Sequence, residues 1–376
     1  MIKIIALLST LFINLYGALF LFFTSSKKFE NRFYLSLFFF NSFILFVGHF
    51  LSFNEFWITF RYFDFIFLAA LLAFYPLYYL YLNSAFNLII VKSKWIYHFI
   101  PSILIALAML GTTLYANWED YQAYMNNSLY GTPLTSNSSL LLNYLYKGSR
   151  AFHIIQIIVY NFLVISYILK IKKEMNNSFS DINKYQLRLF YTANISFILL
   201  MSIPGFYVTT LGRTPFNANE MMLFYVCSLF TLLYLILAII GLKQLPIDLQ
   251  LSNVNNKENG TIHNLDLIEI EKNLIQYFNN KKPWLNPNLN IWDVASSIGT
   301  NRSYVSNIIN EGMGYNFNHF VNDYRISEAK VLLKNKPYLS ITEIGELSGF
   351  GSLNTFIRTF KQFENCTPTE FKLKIL

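Results

Sequence analysis

Hydrophobic and polar positions divide the chain at about residue 242. Before that point apolar residues come in long, nearly unbroken runs. After it they recur every third or fourth position among polar residues, the period of short amphipathic helices. A bilayer core of about 30 Å takes roughly 20 mostly apolar helical residues to cross. Seven runs qualify, at about 4–23, 33–53, 57–82, 95–115, 151–171, 189–211 and 221–242. The first follows Lys3 but is long, lacks a small-x-small cleavage pattern and leads at once into a second run. It therefore predicts a retained helix and not a cleaved signal.

Residues 243–265, with Pro246, Asn253, Asn255, Asn256 and Gly260, predict a polar tether. Leu267, Ile270, Leu274 and Phe278 then predict an amphipathic helix that ends before Pro283. Two helix-turn-helix units follow. In the first, Asn290 caps a helix with Ile291, Val294 and Ile298 inward, Gly299 turns the chain, and Asn301 caps a helix burying Val305, Ile308 and Ile309. In the second, SITE at 340–343 is a capping box opening a helix that buries Ile341, Ile344 and Leu347. The GFG at 349–351 turns, and Ser352 caps a helix with Phe356, Phe360 and Phe363 on one face. Between the units, Asn316 caps a helix over about 317–334, roughly 27 Å long at ~1.5 Å per residue. Such a rod suits two recognition helices about one DNA turn apart, about 34 Å. The fold class is thus all-α: a seven-helix membrane bundle over 1–242, a linker over 243–265, and a helical domain over 266–376.

Composition agrees, with 54% hydrophobic and 13% charged residues. Soluble chains carry about 25% charged residues. The net charge of +8 suggests nucleic-acid binding until it is divided. Residues 1–265 hold 17 Lys and Arg against 10 Asp and Glu, or +7; residues 266–376 hold 12 against 11, or +1. The excess belongs to topology. Loops after the odd-numbered runs carry Lys27, Lys28, Arg32, Lys92, Lys94, Lys172, Lys173, Lys184 and Arg188, while those after even-numbered runs carry only Lys147, Arg150 and Arg213. The positive-inside rule then predicts a multi-pass inner-membrane protein with its N-terminus outside and its C-terminal domain in the cytoplasm.

The sequences NRSYVSNIINEGMGYNFNHFVNDYRISEAKVLL and ITEIGELSGFGSLNTFIRTFKQFENCTPTEF resemble the AraC/XylS family DNA-binding domain. The resemblance rests on Ile341, Ile344, Gly349, Phe350, Ser352, Phe356, Arg358, Phe360, Lys361, Thr367, Pro368 and Phe371. Gly345 departs from the alanine the family prefers, which should loosen its helix by about 1 kcal/mol. Asn365 replaces a glycine and tolerates the left-handed region next best.

The resemblance implies a sequence-specific transcription regulator that binds double-stranded DNA, and the apolar runs add the lipid bilayer as a partner. Solvent-facing Arg302, Ser303, Ser306 and Asn307 in the first recognition helix, and Leu353, Asn354, Ile357, Arg358 and Lys361 in the second, are the candidates for bases and phosphates. Arg358 suits guanine or phosphate, Asn307 and Asn354 adenine, Leu353 and Ile357 a thymine methyl, and Lys361 phosphate. A domain charge of only +1 favours a homodimer or clustering at the membrane.

Arg61 and Asp64 stand three residues apart in the third run. Either they line an intramembrane sensing pocket for a small-molecule or envelope signal, or Arg61 snorkels with Asp64 neutralising it. Pro76 and Pro204–Gly205 predict kinks. The long loop at 116–150 is either a binding surface or a solvated linker. Cys227 and Cys366 form no disulfide framework or metal cluster, and no catalytic motif or cofactor loop is present. The competing reading is a transporter or receptor whose tail is a protein-interaction scaffold.

Overall fold

The structure, a computed structural model, describes residues 2–26, 30–85, 95–134, 136–180, 187–211, 215–216, 219–243 and 264–375. The described residues are helical and include no named strand. They divide into two compact units, Met1–Tyr167 with Leu189–Asp248 and Ile168–Arg188 with Leu249–Leu376. The tether expected at 243–265 lies, except at its ends, outside the described residues, as do Lys27, Lys28, Lys92, Lys94, Lys184 and Arg213.

The first unit is built from α1 (Ile2–Phe23), α2 (Glu30–Phe53), α3 (Trp57–Ser84), α4 (Ile100–Tyr115), α5 (Trp118–Tyr130), α6 (Asn137–Ser178), α7 (Leu187–Leu211) and α8 (Glu220–Lys243). Six of these, α1 to α3 and α6 to α8, have the length and hydropathy to cross a membrane. The fourth expected span is shorter: α4 has 16 residues, about 24 Å, preceded by a 3-10 turn at Trp95–His98. Conversely α6 runs for 42 residues, about 63 Å. Its last residues belong to the second unit.

Helices of this composition gain little from burying apolar surface when lipid is the solvent, so aromatic packing and polar links set the arrangement. Phe38, Phe74, Tyr78, Phe197 and Tyr234 form one ring cluster, with Phe38 and Phe74 centroids 4.9 Å apart. Asn41 donates to the Ala70 carbonyl (2.9 Å), Ser102 to that of Ala69 (2.8 Å) and Tyr78 to the Asn194 side chain (2.8 Å). Pro76 lies inside α3 and cannot donate to the carbonyl of Leu72. Gln156 donates there instead, at 3.0 Å, which satisfies the carbonyl the proline leaves without its helical partner.

The loop at 116–150 is neither a bare linker nor irregular. It holds α5, capped by the Asn117 side chain and ended by Gly131 at φ 73°, with Tyr121, Tyr124 and Met125 fully buried. Arg61 and Asp64 both meet this region, but the described ion pairs do not join them. Arg61 Nη2 donates to the carbonyls of Thr113 (3.1 Å) and Ala116 (2.6 Å), which neutralises the negative C-terminal end of α4. Asp64 is fully buried and accepts from the Tyr121 hydroxyl at 3.3 Å.

Candidate nucleic-acid interface

The second unit contains α9 (Asn264–Lys281), α10 (Ile291–Ser297), α11 (Arg302–Asn307), α12 (Phe317–Asn335), α13 (Ile341–Leu347), α14 (Leu353–Glu364) and α15 (Pro368–Ile375). Side-chain caps start each helix where the sequence places them: Asn290 accepts from Trp292 and Asp293, Asn301 from Tyr304, Asn316 from His319 and Ser352 from Thr355. Ser340 and Glu343 form a full capping box. A second reciprocal pair, unforeseen in the sequence, opens α15: Thr367 N donates to Glu370 (2.7 Å) and Glu370 N to Thr367 Oγ1 (3.2 Å). These bonds hold the Glu343 and Glu370 carboxyls below their ordinary pKa, by hydrogen bonding to the charged form.

Two hydrophobic clusters hang on α12. Its first half supplies Phe317, Phe320 and Val321 to a core with Leu274, Phe278, Val294, Val305 and Ile309. Its second half supplies Ile326, Ala329 and Leu333 to a core with Ile344, Phe350, Phe356 and Phe360. Each cluster is one helix-turn-helix unit. Leu347, read from the sequence as inward, is instead exposed. The C-terminal end of α13 turns away at Gly349, whose φ is 87°. A Cβ there would stand 2.2 Å from the Trp284 carbonyl oxygen, so only glycine fits.

The second recognition helix, α14, presents Leu353, Asn354, Arg358 and Lys361 to solvent and Ile357 half-buried, while Thr355, Phe356, Thr359 and Phe360 are buried. Gly345 in α13 faces it closely: a Cβ would lie 2.9 Å from Phe356 Cδ1. The departure from alanine is therefore a packing match and not simply a weaker helix. Asn365 closes α14 in the left-handed region at φ 56°.

The first recognition helix, α11, continues into a π turn at Ile308–Gly312. Asn307 is exposed and Ser303 half-buried. Ser306 corrects the expectation of a solvent-facing serine: it is buried and its hydroxyl accepts from Asn310 at 2.9 Å. The wider turn brings Asn310 over it. Arg302 is occupied within the unit. Its Nη2 lies 2.9 Å from Glu174 and 3.2 Å from Ser178 Oγ, both at the end of α6.

That end of α6 forms a strap on the domain. Ser180 N and Oγ donate to the Leu289 carbonyl (3.2 and 2.7 Å), and Asn318 donates to the Ser180 carbonyl (2.7 Å). The Phe179 ring meets that of Trp292, centroids 5.5 Å apart. At the centre lies Arg325, a fully buried guanidinium. It donates to the carbonyls of Trp284 and Asn286 (both 2.8 Å) and to Ser180 Oγ (3.1 Å), and stands 5.7 Å from the Phe350 ring centroid. Sequence periodicity assigns neither the strap nor Arg325, because both depend on contacts far apart in the chain.

Comparison with known proteins agrees with this geometry. A family model described as a helix-turn-helix domain matches residues 294–374. The C-terminal unit carries an AraC-type helix-turn-helix domain. An uncharacterized HTH-type transcriptional regulator of Staphylococcus aureus (strain COL) is 34% identical over 84 residues, 22% of this chain and 11% of that protein. The uncharacterized transcriptional regulatory protein YesN of Bacillus subtilis (strain 168) is 31% identical over 91 residues, 24% of this chain and 25% of that protein. The match thus spans a quarter or less of the relatives' own length. No solved structure matches the chain.

Proposed function

We propose that the protein is a membrane-tethered, one-component transcription regulator, without enzymatic activity of its own, that binds specific double-stranded DNA. The observation that carries this reading is the coexistence of an AraC-type domain with six helices apolar and long enough to span a bilayer. Exposed Asn354, Arg358 and Lys361 on α14 and Asn307 on α11 supply hydrogen-bond donors and acceptors for base edges and phosphates. Leu353 and Ile357 offer apolar contact to thymine. Ser303 completes the α11 surface, and Ser306 acts from beneath it through Asn310. With the C-terminus in the cytoplasm of the inner membrane, the domain reaches the chromosome without being released.

Glu174 and DNA phosphate are rivals for Arg302. The ion pair supports an off state in which the end of α6 holds the first recognition helix. Because α6 also supplies residues to the first unit, a signal that shifts it would free Arg302. DNA-bound dimers fit a domain of such low net charge.

Chromatin crosslinking of the tagged full-length protein in its own cells tests the reading, against an Arg302→Ala, Arg358→Ala double variant at equal membrane abundance. Discrete DNA sites that vanish in the variant are the expected result. No enrichment in either, across several growth conditions, would favour a transporter or receptor whose tail is a protein scaffold.

A further inference from the structure

The first unit holds a partly open cavity of about 110 Å³, several times the volume one ordered water needs on the same measure. Its walls are mainly aromatic and aliphatic, among them Phe46, Phe67, Phe74, Met201, Phe230 and Tyr234. Arg150, His153 and His49 line it as well. Arg61 and Asp64 do not line it.

Arg150 is half-buried. Its Nε donates to the Thr209 carbonyl at 2.6 Å, and its guanidinium stands 5.2 Å from the Tyr146 ring centroid. The described ion pairs give it no carboxylate. His153 is 4% exposed, its Nδ1 makes no well-formed hydrogen bond, and the Gln156 side chain lies beside it. A cation and a poorly satisfied buried ring nitrogen beside an apolar space are costly unless something polar meets them. An anion there would gain a fork of donors from the terminal guanidinium nitrogens and a further bond from the imidazole.

We propose that this cavity binds a free amphiphilic acid, with its carboxylate against Arg150 and His153 and a single alkyl or aryl body in the apolar chamber. The proposal deepens the sensor reading and rests on it for its regulatory meaning. The site has a single apolar chamber, which suits a ligand with one apolar body. A neutral amphiphile would fill the same space but leave Arg150 unanswered, so charge is the discriminating feature. Gly205 lines the chamber, and a Cβ there would meet only the Tyr75 hydroxyl, at 3.6 Å. A side chain added there can therefore leave the backbone without an immediate clash.

The test is equilibrium dialysis of the full-length protein in phosphatidylcholine nanodiscs against octanoate, decanoate and 4-phenylbutyrate, with 1-decanol as the neutral match and empty nanodiscs subtracted. Saturable binding of at least one acid is expected. Arg150→Gln should weaken it by about ten-fold or more, as loss of a charged hydrogen-bond partner does, while Arg150→Lys retains part of it. Gly205→Leu should abolish it in a protein that still elutes as the wild type. No saturable binding of any acid, equal binding of decanol, or full binding by Gly205→Leu would overturn the site. A DNA-binding arm on the same samples separates the two ideas. Acid binding that leaves DNA occupancy unchanged keeps the site and removes its sensor role. Absence of acid binding with specific DNA sites intact removes the site and keeps the regulator.

Discussion

Arg325 shows how a single buried charge can unite a domain. Its guanidinium satisfies carbonyls from the segment before α10 and the hydroxyl of Ser180, so truncation strands several acceptors at once. Arg325→Met should destabilise the C-terminal unit by about 3 kcal/mol or more, and Arg325→Lys should rescue little, lacking the planar fork. Urea unfolding of the full chain, followed by protease sensitivity of residues 264–375, measures both. Gly345 gives the opposite sign from helix propensity alone. Alanine would gain about 1 kcal/mol as a helix former but forces Phe356 to move from 2.9 Å, an overpacking cost of about 1–3 kcal/mol. Gly345→Ala should therefore be neutral to destabilising in the same assay. For Glu343 and Glu370 the folded pKa is depressed. Their stabilisation is present above the unfolded carboxylate pKa and is lost as pH falls through the folded one. The Glu343→Gln, Glu370→Gln variant should lose less stability on acidification than the wild type, which acid titration of the unfolding midpoint would detect.

Among the elements, α6 has the widest consequences. The hydropathy of the run at 151–171 marks a span, but the helix continues to Ser178 and ends in a strap that pairs Glu174 with Arg302. Removing one partner of a partly exposed ion pair changes affinity by about 1 kcal/mol or less. If Glu174 holds the first recognition helix, Glu174→Gln should raise the affinity of the full-length protein for a recovered DNA site by up to about five-fold. Fluorescence anisotropy at fixed salt reads this directly. Unchanged or weakened binding would remove the latch. The element least legible in the sequence is α5, because its polar, tyrosine-rich surface offers no strong hydrophobic period. Its Tyr121 and Tyr124 become buried only against the rest of the unit.

For the molecule as a whole, the proposed DNA-binding function sets a demand on charge. Residues 266–376 carry +1, so phosphate affinity under that proposal would come from a few placed cations. Lys361→Ala should weaken binding across sequences alike and reduce the salt-dependence slope by about 0.9, the share of one phosphate contact on B-DNA. A salt titration of the anisotropy signal checks this; an unchanged slope would take Lys361 away from the backbone.

By itself the sequence determined the all-helical class, the apolar runs, the caps and the two helix-turn-helix units. These follow from local physics: the length of an apolar run, the side chain that accepts from a helix's first N–H groups, and the glycines at its turns. It also gave the exposure pattern of α14, whose buried Phe356 and Phe360 alternate with exposed Asn354, Arg358 and Lys361. Only the tertiary structure decided that Arg61 caps α4, that Ser306 is buried, that Gly345 makes room for Phe356, and that Arg302 is held by Glu174. It alone set Arg150 and His153 beside one apolar cavity. Each depends on a partner distant in the chain or on local crowding, and spacing along a sequence carries no record of which distant side chain will arrive.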